Sequence, residues 1–337
     1  MNRSIVLARY PDGEIVEGDF ALREGARPQV VEGTFVTRNR YFSMDAGFRQ
    51  WMNADSGDNY LPGMPLDEAV QSIVLGEVIE SRHPDFPEGA IVSARTAWEE
   101  YSLLDGSDLC SILEVDPRVP LHEYMSTLGP TGMTAWFGLQ DIGRPQQGDV
   151  LLVSAAGGAV GTVVGQLGRI AGCHCIGLTS SEAKARWLRD EVGYHIAISR
   201  ERYPDLPAAL AEFAPQGIDI MFDNVGGTVL DAALGNLREG ARIVLCGAIA
   251  QYEAEQPQPV YNTWELITKR ANAQGFMFSD YAAQFPAAIS ELGRYLQQGS
   301  LKSFNQVYDG LEAAPRAFCD MMHGRSRGKC LVRLAAD

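Results

Sequence analysis

Residues 150–161 read Val150-Leu151-Leu152-Val153-Ser154-Ala155-Ala156-Gly157-Gly158-Ala159-Val160-Gly161, an apolar strand, a tight turn and the start of a helix. That order suits a turn wrapped around a pyrophosphate. Gly158 lets the backbone approach the anion, and Gly161 permits close packing of helix on sheet. The free N–H groups around Gly158, Ala159, Val160 and Gly161 face the negative charge. A strict G-x-G-x-x-G is absent, because Ala156 takes the first glycine position; the pattern runs A-x-x-G-x-x-G from Ala155. A merely structural glycine turn is the plainer alternative. The apolar strand before it and the further strand candidates after it favour a dinucleotide.

The next strand end says which dinucleotide. An NAD site places a carboxylate there, about 20 residues on, to hold the ribose hydroxyls. Here the chain reads Leu178-Thr179-Ser180-Ser181, with no carboxylate before Glu182. An uncharged, hydroxyl-rich pocket tolerates a 2′-phosphate, Lys184 is in reach to neutralise it, and Arg200 adds a possible bidentate contact. The alternative makes both cations solvated surface charges. NADPH is the expected cofactor.

Metal chemistry is not expected. Zinc sites need thiolate and imidazole ligands, yet there is no C-x₂-C-x₂-C run and no cysteine before Cys110. Cys173-His174-Cys175 opens a predicted buried strand, whose alternate side chains point to opposite faces. His83, His122 and His323 are isolated.

The elements that must position these groups fall into two textures. The first 120 or so residues read as short strands, at 4–9, 29–37, 71–80 and 90–98, cut by Gly and Pro clusters. From about 125 the pattern changes. A helix over 131–139 precedes strands at 150–153, 175–178, 196–198, 219–222, 243–246 and 273–278, with helical segments between, including 187–191. That alternation implies βαβ units and a doubly wound parallel sheet. An amphipathic helix spans 284–297, and the tail 302–334 mixes strand, helix and strand.

The chain has 337 residues and a formal charge of −15, from 43 acidic and 28 basic residues. Its length suggests two domains, and its charge disfavours nucleic acid or an anionic membrane as a partner. The start, Met1-Asn2-Arg3-Ser4-Ile5-Val6-Leu7, runs into strand-like sequence without a signal peptide, and no apolar run nears the roughly 20 residues of a membrane span. Six scattered cysteines suit a reducing cytoplasm.

Four segments together resemble one family. They are Leu128-Gly129-Pro130-Thr131-Gly132-Met133-Thr134-Ala135-Trp136-Phe137-Gly138-Leu139, the turn from Ala155 to Gly161, Phe222-Asp223-Asn224-Val225-Gly226-Gly227, and Cys246-Gly247-Ala248-Ile249-Ala250-Gln251-Tyr252. Asp45-Ala46-Gly47-Phe48-Arg49 is similar to the family's D-P-Y-M-R segment and Gly328-Lys329 to its closing G-K turn. The chain resembles the zinc-independent medium-chain dehydrogenases/reductases, in the branch of prostaglandin reductase/leukotriene B4 12-hydroxydehydrogenase, curcumin reductase and plant alkenal double-bond reductases.

The resemblance implies an α/β fold: a GroES-like β-rich catalytic domain over 1–124, completed by 301–337, and a Rossmann domain over 125–300. The active site would lie in the cleft between them. Gly158, Ala159, Val160 and Gly161 would take the pyrophosphate and Lys184 the 2′-phosphate. Asn224, Cys246, Gly247, Ala248, Ile249 and Tyr252 would line the nicotinamide side, beside Phe276, Met277 and Phe278. The alternatives are that Asn224 only caps its loop and that Phe276 and Phe278 are core aromatics. Three departures stand out. Arg200 replaces a common tyrosine, Ser326 replaces the asparagine before the G-K turn, and residues 46–47 lack the Pro and Tyr.

The implied reaction is hydride delivery to the β-carbon of an α,β-unsaturated ketone or aldehyde. Negative charge then grows on the carbonyl oxygen and calls for a hydrogen-bond donor. Tyr252 is the leading candidate, because a phenol donates at neutral pH, and Tyr60 is a second donor or a pocket wall. A ribose hydroxyl of the cofactor is a further donor, and water can supply the α-proton. A homodimer is expected from the family. The competing readings are a quinone reductase or an alcohol dehydrogenase on the same scaffold, the second disfavoured by the missing zinc ligands, an enoyl-thioester reductase, and a non-catalytic NADPH-binding protein.

Overall fold

The computed structural model describes residues 1–54, 56–58, 60–107, 109–254, 256 and 258–334. The chain forms two compact units: Met1–Met125 with Gln306–Ser326 and Cys330–Asp337, and Ser126–Asn305 with Arg327–Lys329.

The first unit is β-rich. β1 (Asn2–Leu7) pairs antiparallel with β2 (Phe20–Gly25). β3 (Phe35–Ser43), β4 (Gln71–Ser81), β5 (Ile91–Ala97), β6 (Tyr101–Leu104) and β7 (Ser111–Ile112) belong to a seven-stranded sheet. The expected strand over 29–37 is corrected, because residues 29–34 form a loop and the strand runs on to Ser43. Polar Arg38, Asn39 and Arg40 break the apolar pattern that a sequence reading follows. Asn39 nevertheless lies buried inside the sheet, where its amide donates to Glu99 O at 2.8 Å and Ser102 Oγ at 2.9 Å. Gly76 on the paired strand leaves it room, since a Cβ there would come within 3.0 Å of Asn39 Oδ1. A buried amide is tolerated when its partners are supplied.

The second unit is a six-stranded parallel sheet with helices. Its strands are β8 (Val150–Val153), β9 (His174–Thr179), β10 (Ile196–Ser199), β11 (Ile218–Asp223), β12 (Leu237–Leu245) and β13 (Asn272–Gly275). Their order is β10-β9-β8-β11-β12-β13. The helices are α1 (Pro130–Phe137), α2 (Ala159–Ile170), α3 (Glu182–Trp187), α4 (Leu206–Phe213), α5 (Gly227–Leu234), α6 (Trp264–Thr268) and α7 (Phe285–Gln297). The expected strand over 273–278 ends at Gly275, and Phe278 opens a 3-10 turn. Continuous apolar runs such as Leu151-Leu152-Val153, fully buried, are what strands covered on both faces require.

Three glycines let α2 sit close to its neighbours. A Cβ on Gly161 would meet Ala155 O at 2.6 Å, one on Gly165 the Tyr194 ring at 2.2 Å, and one on Gly168 a Leu151 methyl at 2.4 Å. Glycine costs a helix up to about 1 kcal/mol per position; close packing offsets it here. Tyr194 fills the space, donating its hydroxyl to Gly161 O at 2.6 Å.

The tail adds β14 (Asn305–Asp309), α8 (Ala314–Met322) and β15 (Lys329–Arg333), with β15 antiparallel to β3 in the first unit's sheet. Phe318 of α8 packs with Phe20 and Trp98, ring centroids 5.4–6.4 Å apart, in that unit's core. Residues 301–305 stay with the second unit. Gln166 holds them there, donating to Lys302 O at 2.9 Å and accepting from Lys302 N at 2.8 Å.

Candidate active site

The strand order of the parallel sheet reverses between β8 and β11. In doubly wound sheets a ligand sits at the carboxyl ends of the strands flanking such a reversal. Two groups of residues named above converge there: the turn after β8 and the Asp223–Gly227 loop after β11.

Buried Asp223 organises this point. Its carboxylate accepts from Ser154 Oγ at 2.7 Å and from the N–H groups of Val225 and Gly226 at 3.1 and 2.9 Å. Its carbonyl accepts from Cys246 and Gly247 N–H at 2.8 and 3.1 Å. One residue therefore ties together the ends of β8, β11 and β12. Burial raises its carboxyl pKa, and the three donors oppose that rise. Asn224 is fixed by the same network: its N–H donates to Ser154 Oγ and its amide to Ser154 O, both at 2.8 Å. It spans two strand ends, so it does more than cap its own loop.

The phosphate turn has the required shape. Ala155 adopts a left-handed φ of 47°, a conformation costing a non-glycine residue about 1 kcal/mol. Such strain is held where a surrounding structure over-determines it. Gly158 caps α2, and the N–H groups of Ala159, Val160 and Gly161 have no acceptor within the helix. The Gly161 contact leaves no space for a side chain on the turn's inner side. The cradle fits a pyrophosphate.

Lys184 lies on α3, whose N-cap Ser181 accepts from Lys184 N at 3.3 Å. Its Cδ is 3.5 Å from where a Cβ on Gly157 would sit, so the side chain lies over the phosphate turn. Burial, and then the neighbouring Arg327 cation, hold its amine down at about 8. Arg200 docks by its backbone at the end of β9, donating to Thr179 O at 3.0 Å, with an exposed side chain. The Lys184 side chain and the Arg200 backbone thus both lie at the carboxyl end of β9.

On the β12 side, residues 246–252 fold into a closed loop. Ile249 N–H donates to Asn224 O at 3.2 Å and Ala248 N–H to the Tyr252 hydroxyl at 3.0 Å. The phenol oxygen approaches because Gly247 has no side chain; a Cβ there would lie 3.2 Å from it. Burial raises the phenol's pKa, and burial pushes the Cys246 thiol up to about 12. Both stay protonated at neutral pH. Phe276 packs on Gly138, a Cβ at which would lie 2.7 Å from its Cζ, while Phe278 stacks on Phe285 with centroids 6.0 Å apart. Met277 is 37 % exposed.

Tyr60 and Ser326 belong to the first unit. Tyr60 is partly exposed, its ring 5.7 Å from the Trp51 ring and 5.7 Å from the Arg95 guanidinium. Ser326 is buried, its N–H donating to Asp320 O at 3.3 Å. Arg49, in the altered 45–49 segment, is buried and donates to Asn53 Oδ1 at 2.7 Å and Gly13 O at 2.8 Å. It anchors a loop.

Cys173-His174-Cys175 shows the expected alternation: both cysteines are buried and the histidine is exposed, stacked on His195 at 4.8 Å. Burial raises both thiols, Cys173 to about 11 and Cys175 further. No cluster of three or more His, Cys, Asp or Glu side chains able to hold a metal ion occurs among the described residues.

A doubly wound sheet with a glycine turn at its switch point, in a chain that also carries a β-rich unit, marks the class of two-domain dinucleotide-binding proteins. Residues 3–112 match the family described as the N-terminal domain of oxidoreductase, and residues 159–294 match the family described as zinc-binding dehydrogenase. The 2-alkenal reductase (NADP(+)-dependent) of Nicotiana tabacum is 35% identical, the match covering 100% of this chain and 98% of that protein. The NADPH-dependent curcumin reductase of Escherichia coli is 33% identical, with coverage of 100% and 98%. The crystal structure of CurA from Vibrio vulnificus in complex with NADPH superposes with a TM-score of 0.91 at 35% identity, covering 99% of this chain and 100% of that one. The chain belongs to the zinc-independent medium-chain dehydrogenase/reductase family, in the branch of the alkenal, curcumin and prostaglandin reductases.

Asp223, Ser154, Tyr194 and Arg327 carry no role that the sequence alone announces. Asp223 is the exception in part, because an aspartate ending an apolar strand is a usable signal. The other three act through contacts distant in sequence, which leave none.

Proposed function

We propose that this protein reduces the C=C bond of α,β-unsaturated ketones and aldehydes with NADPH. It is an NADPH-dependent oxidoreductase. The observation that carries the reading is the Tyr252 hydroxyl, which sits in the loop after β12 and accepts the Ala248 N–H. A phenol has one hydrogen to donate; here it takes no acceptor among the described residues. Accepting one hydrogen bond strengthens a hydroxyl as a donor of the next, and burial keeps it protonated.

Gly158, Ala159, Val160 and Gly161 would hold the pyrophosphate, and Lys184 the 2′-phosphate with Arg200 alongside. Asn224 and the loop from Cys246 to Ile249 would line the nicotinamide side, with Phe276, Met277 and Phe278 beside them. When bound, NADPH supplies the hydride for the β-carbon. Tyr252 then donates to the carbonyl oxygen as negative charge grows there. Tyr60 is assigned to the substrate-pocket wall, and Ser326 to a short cofactor contact. Water delivers the α-proton, so no dedicated acid is needed.

The test is an NADPH-oxidation screen over enals, enones, unsaturated thioesters and quinones. Turnover confined to enals and enones supports the reading. A preference for quinones or thioesters, or NADPH binding without turnover on any of these substrates, overturns it.

Lys184 makes the cofactor preference depend on pH. With the amine at about 8, it is charged at neutral pH and loses its proton as pH rises. Only the charged form grips a phosphate dianion, so NADPH affinity is nearly full at pH 7, about halved near pH 8 and falls further above it. Between pH 7 and pH 9 the NADPH dissociation constant should rise about tenfold, with that for NADH nearly unchanged. A flat NADPH profile over this window would detach the lysine from the phosphate.

No helix among the described residues is long and apolar enough to cross a membrane, and all six cysteines are unpaired thiols. Both support a cytoplasmic location. A homodimer is supported by the second unit's surface: β13 is an exposed sheet edge, and Tyr261, Trp264 and Ile267 are 79, 66 and 65 % exposed. An open edge beside an apolar patch suits a two-fold pairing of copies. Sedimentation equilibrium should give a dimer that Trp264→Glu dissociates; a monomeric wild type at micromolar concentration would rule it out.

A further inference from the structure

We propose that Arg327 is a second cation for the 2′-phosphate of NADPH, forming with Lys184 a two-pronged grip that sets this chain's preference for NADPH over NADH. The inference rests on the cofactor reading above and adds a residue to it.

Arg327 opens the three-residue stretch 327–329, which leaves the rest of the tail and packs with the dinucleotide-binding unit. Its position is fixed by backbone. Gly328 N–H donates to Gly157 O at 2.9 Å, and Gly158 and Gly328 form a parallel β-bridge. This stretch is therefore fastened to the glycine turn itself. Only glycine serves at 328: its φ is +67°, and a Cβ there would lie 2.0 Å from Phe304 O.

The side chains then converge. The exposed Arg327 guanidinium lies 5.6 Å from the centre of the Trp187 ring, on the same short helix as Lys184. Lys184 Cδ and Trp187 Cζ3 lie 3.5 and 3.7 Å from the Cβ position of Gly157. Arg327, Lys184 and the glycine turn thus share one patch, beside the end of β9 where the ribose hydroxyls are expected.

Two cations side by side repel each other, and Arg327 contributes to holding the Lys184 amine down. A chain with a formal charge of −15 that places two cations over a phosphate-shaped turn has built a site for an anion of more than one charge. A ribose 2′-phosphate carries that charge; the ribose hydroxyl of NADH does not. The division of labour follows from the side chains. Lysine offers a point charge, while the planar guanidinium can bind two phosphate oxygens at once.

The test is titration calorimetry on the full chain with NADP⁺, NAD⁺, 2′,5′-ADP and 5′-AMP. Arg327→Ala should weaken NADP⁺ and 2′,5′-ADP about 5- to 30-fold and leave NAD⁺ and 5′-AMP within twofold. Arg327→Lys should recover part of the loss. Arg327→Gln, which keeps a long polar side chain, serves if the alanine variant misfolds and should show the same selective loss. Unchanged 2′,5′-ADP affinity in the neutral variants, or equal weakening of 2′,5′-ADP and 5′-AMP, would overturn the assignment while leaving the cofactor reading intact. A wild-type chain that binds neither NADP⁺ nor 2′,5′-ADP would overturn both.

Discussion

Replacing Tyr252 by phenylalanine is expected to lower kcat by roughly tenfold to a thousandfold, the range for loss of one donor to a developing oxyanion. The substitution removes one oxygen and keeps the ring. It also strips Ala248 N–H of its acceptor at 3.0 Å, so a loosened loop must be separated from a lost catalytic donor. Steady-state kinetics and cofactor titration do this together. Loss of the donor lowers kcat while the NADPH dissociation constant stays within a few-fold. A collapsed loop would weaken NADPH in parallel with kcat. Unchanged turnover would remove Tyr252 from the mechanism.

The second large effect is expected at Lys184. Charge-assisted contacts contribute about 1.5–3 kcal/mol, so Lys184→Ala should raise the KM for NADPH roughly 10- to 150-fold. NADH has no 2′-phosphate, and its KM should move little. Because burial and Arg327 already disfavour the free ammonium, removing it costs the empty fold little and can raise its melting temperature slightly. A rise in KM of equal size for both cofactors would place the lysine elsewhere than on the 2′-phosphate.

The parallel half of the fold was legible because its chemistry is local. Leu151-Leu152-Val153 and Ile220-Met221-Phe222 are continuous apolar runs, and strands covered on both faces must be written that way. The phosphate turn follows the first of them directly. Half-exposed strands were harder to read. β12 begins at Leu237, but Arg238, Glu239 and Gly240 are exposed and polar, so its visible start fell near Ile243. β3 was cut short for the same reason at Arg38-Asn39-Arg40.

The site divides along the same line. Gly158, Gly161, Lys184 and Asn224 sit at fixed distances from strand ends, so motif position is enough to nominate them. Arg327 reaches the turn only because the tail returns to bond Gly157, and Tyr194 matters only because Gly165 and Gly177 leave space for its ring. Those relations exist in the folded chain alone. Asp223 is the intermediate case: its place at a strand end is readable, whereas its five hydrogen bonds to three elements are not.

Hydride is expected to reach the β-carbon of a conjugated carbonyl. NADPH carrying deuterium in the transferred C4 position, mixed with the protein and an α,β-unsaturated ketone, tests it in a single nuclear magnetic resonance measurement. The expected product is a saturated ketone with deuterium on the β-carbon and none on the carbonyl carbon. An allylic alcohol labelled at the carbinol carbon would contradict it.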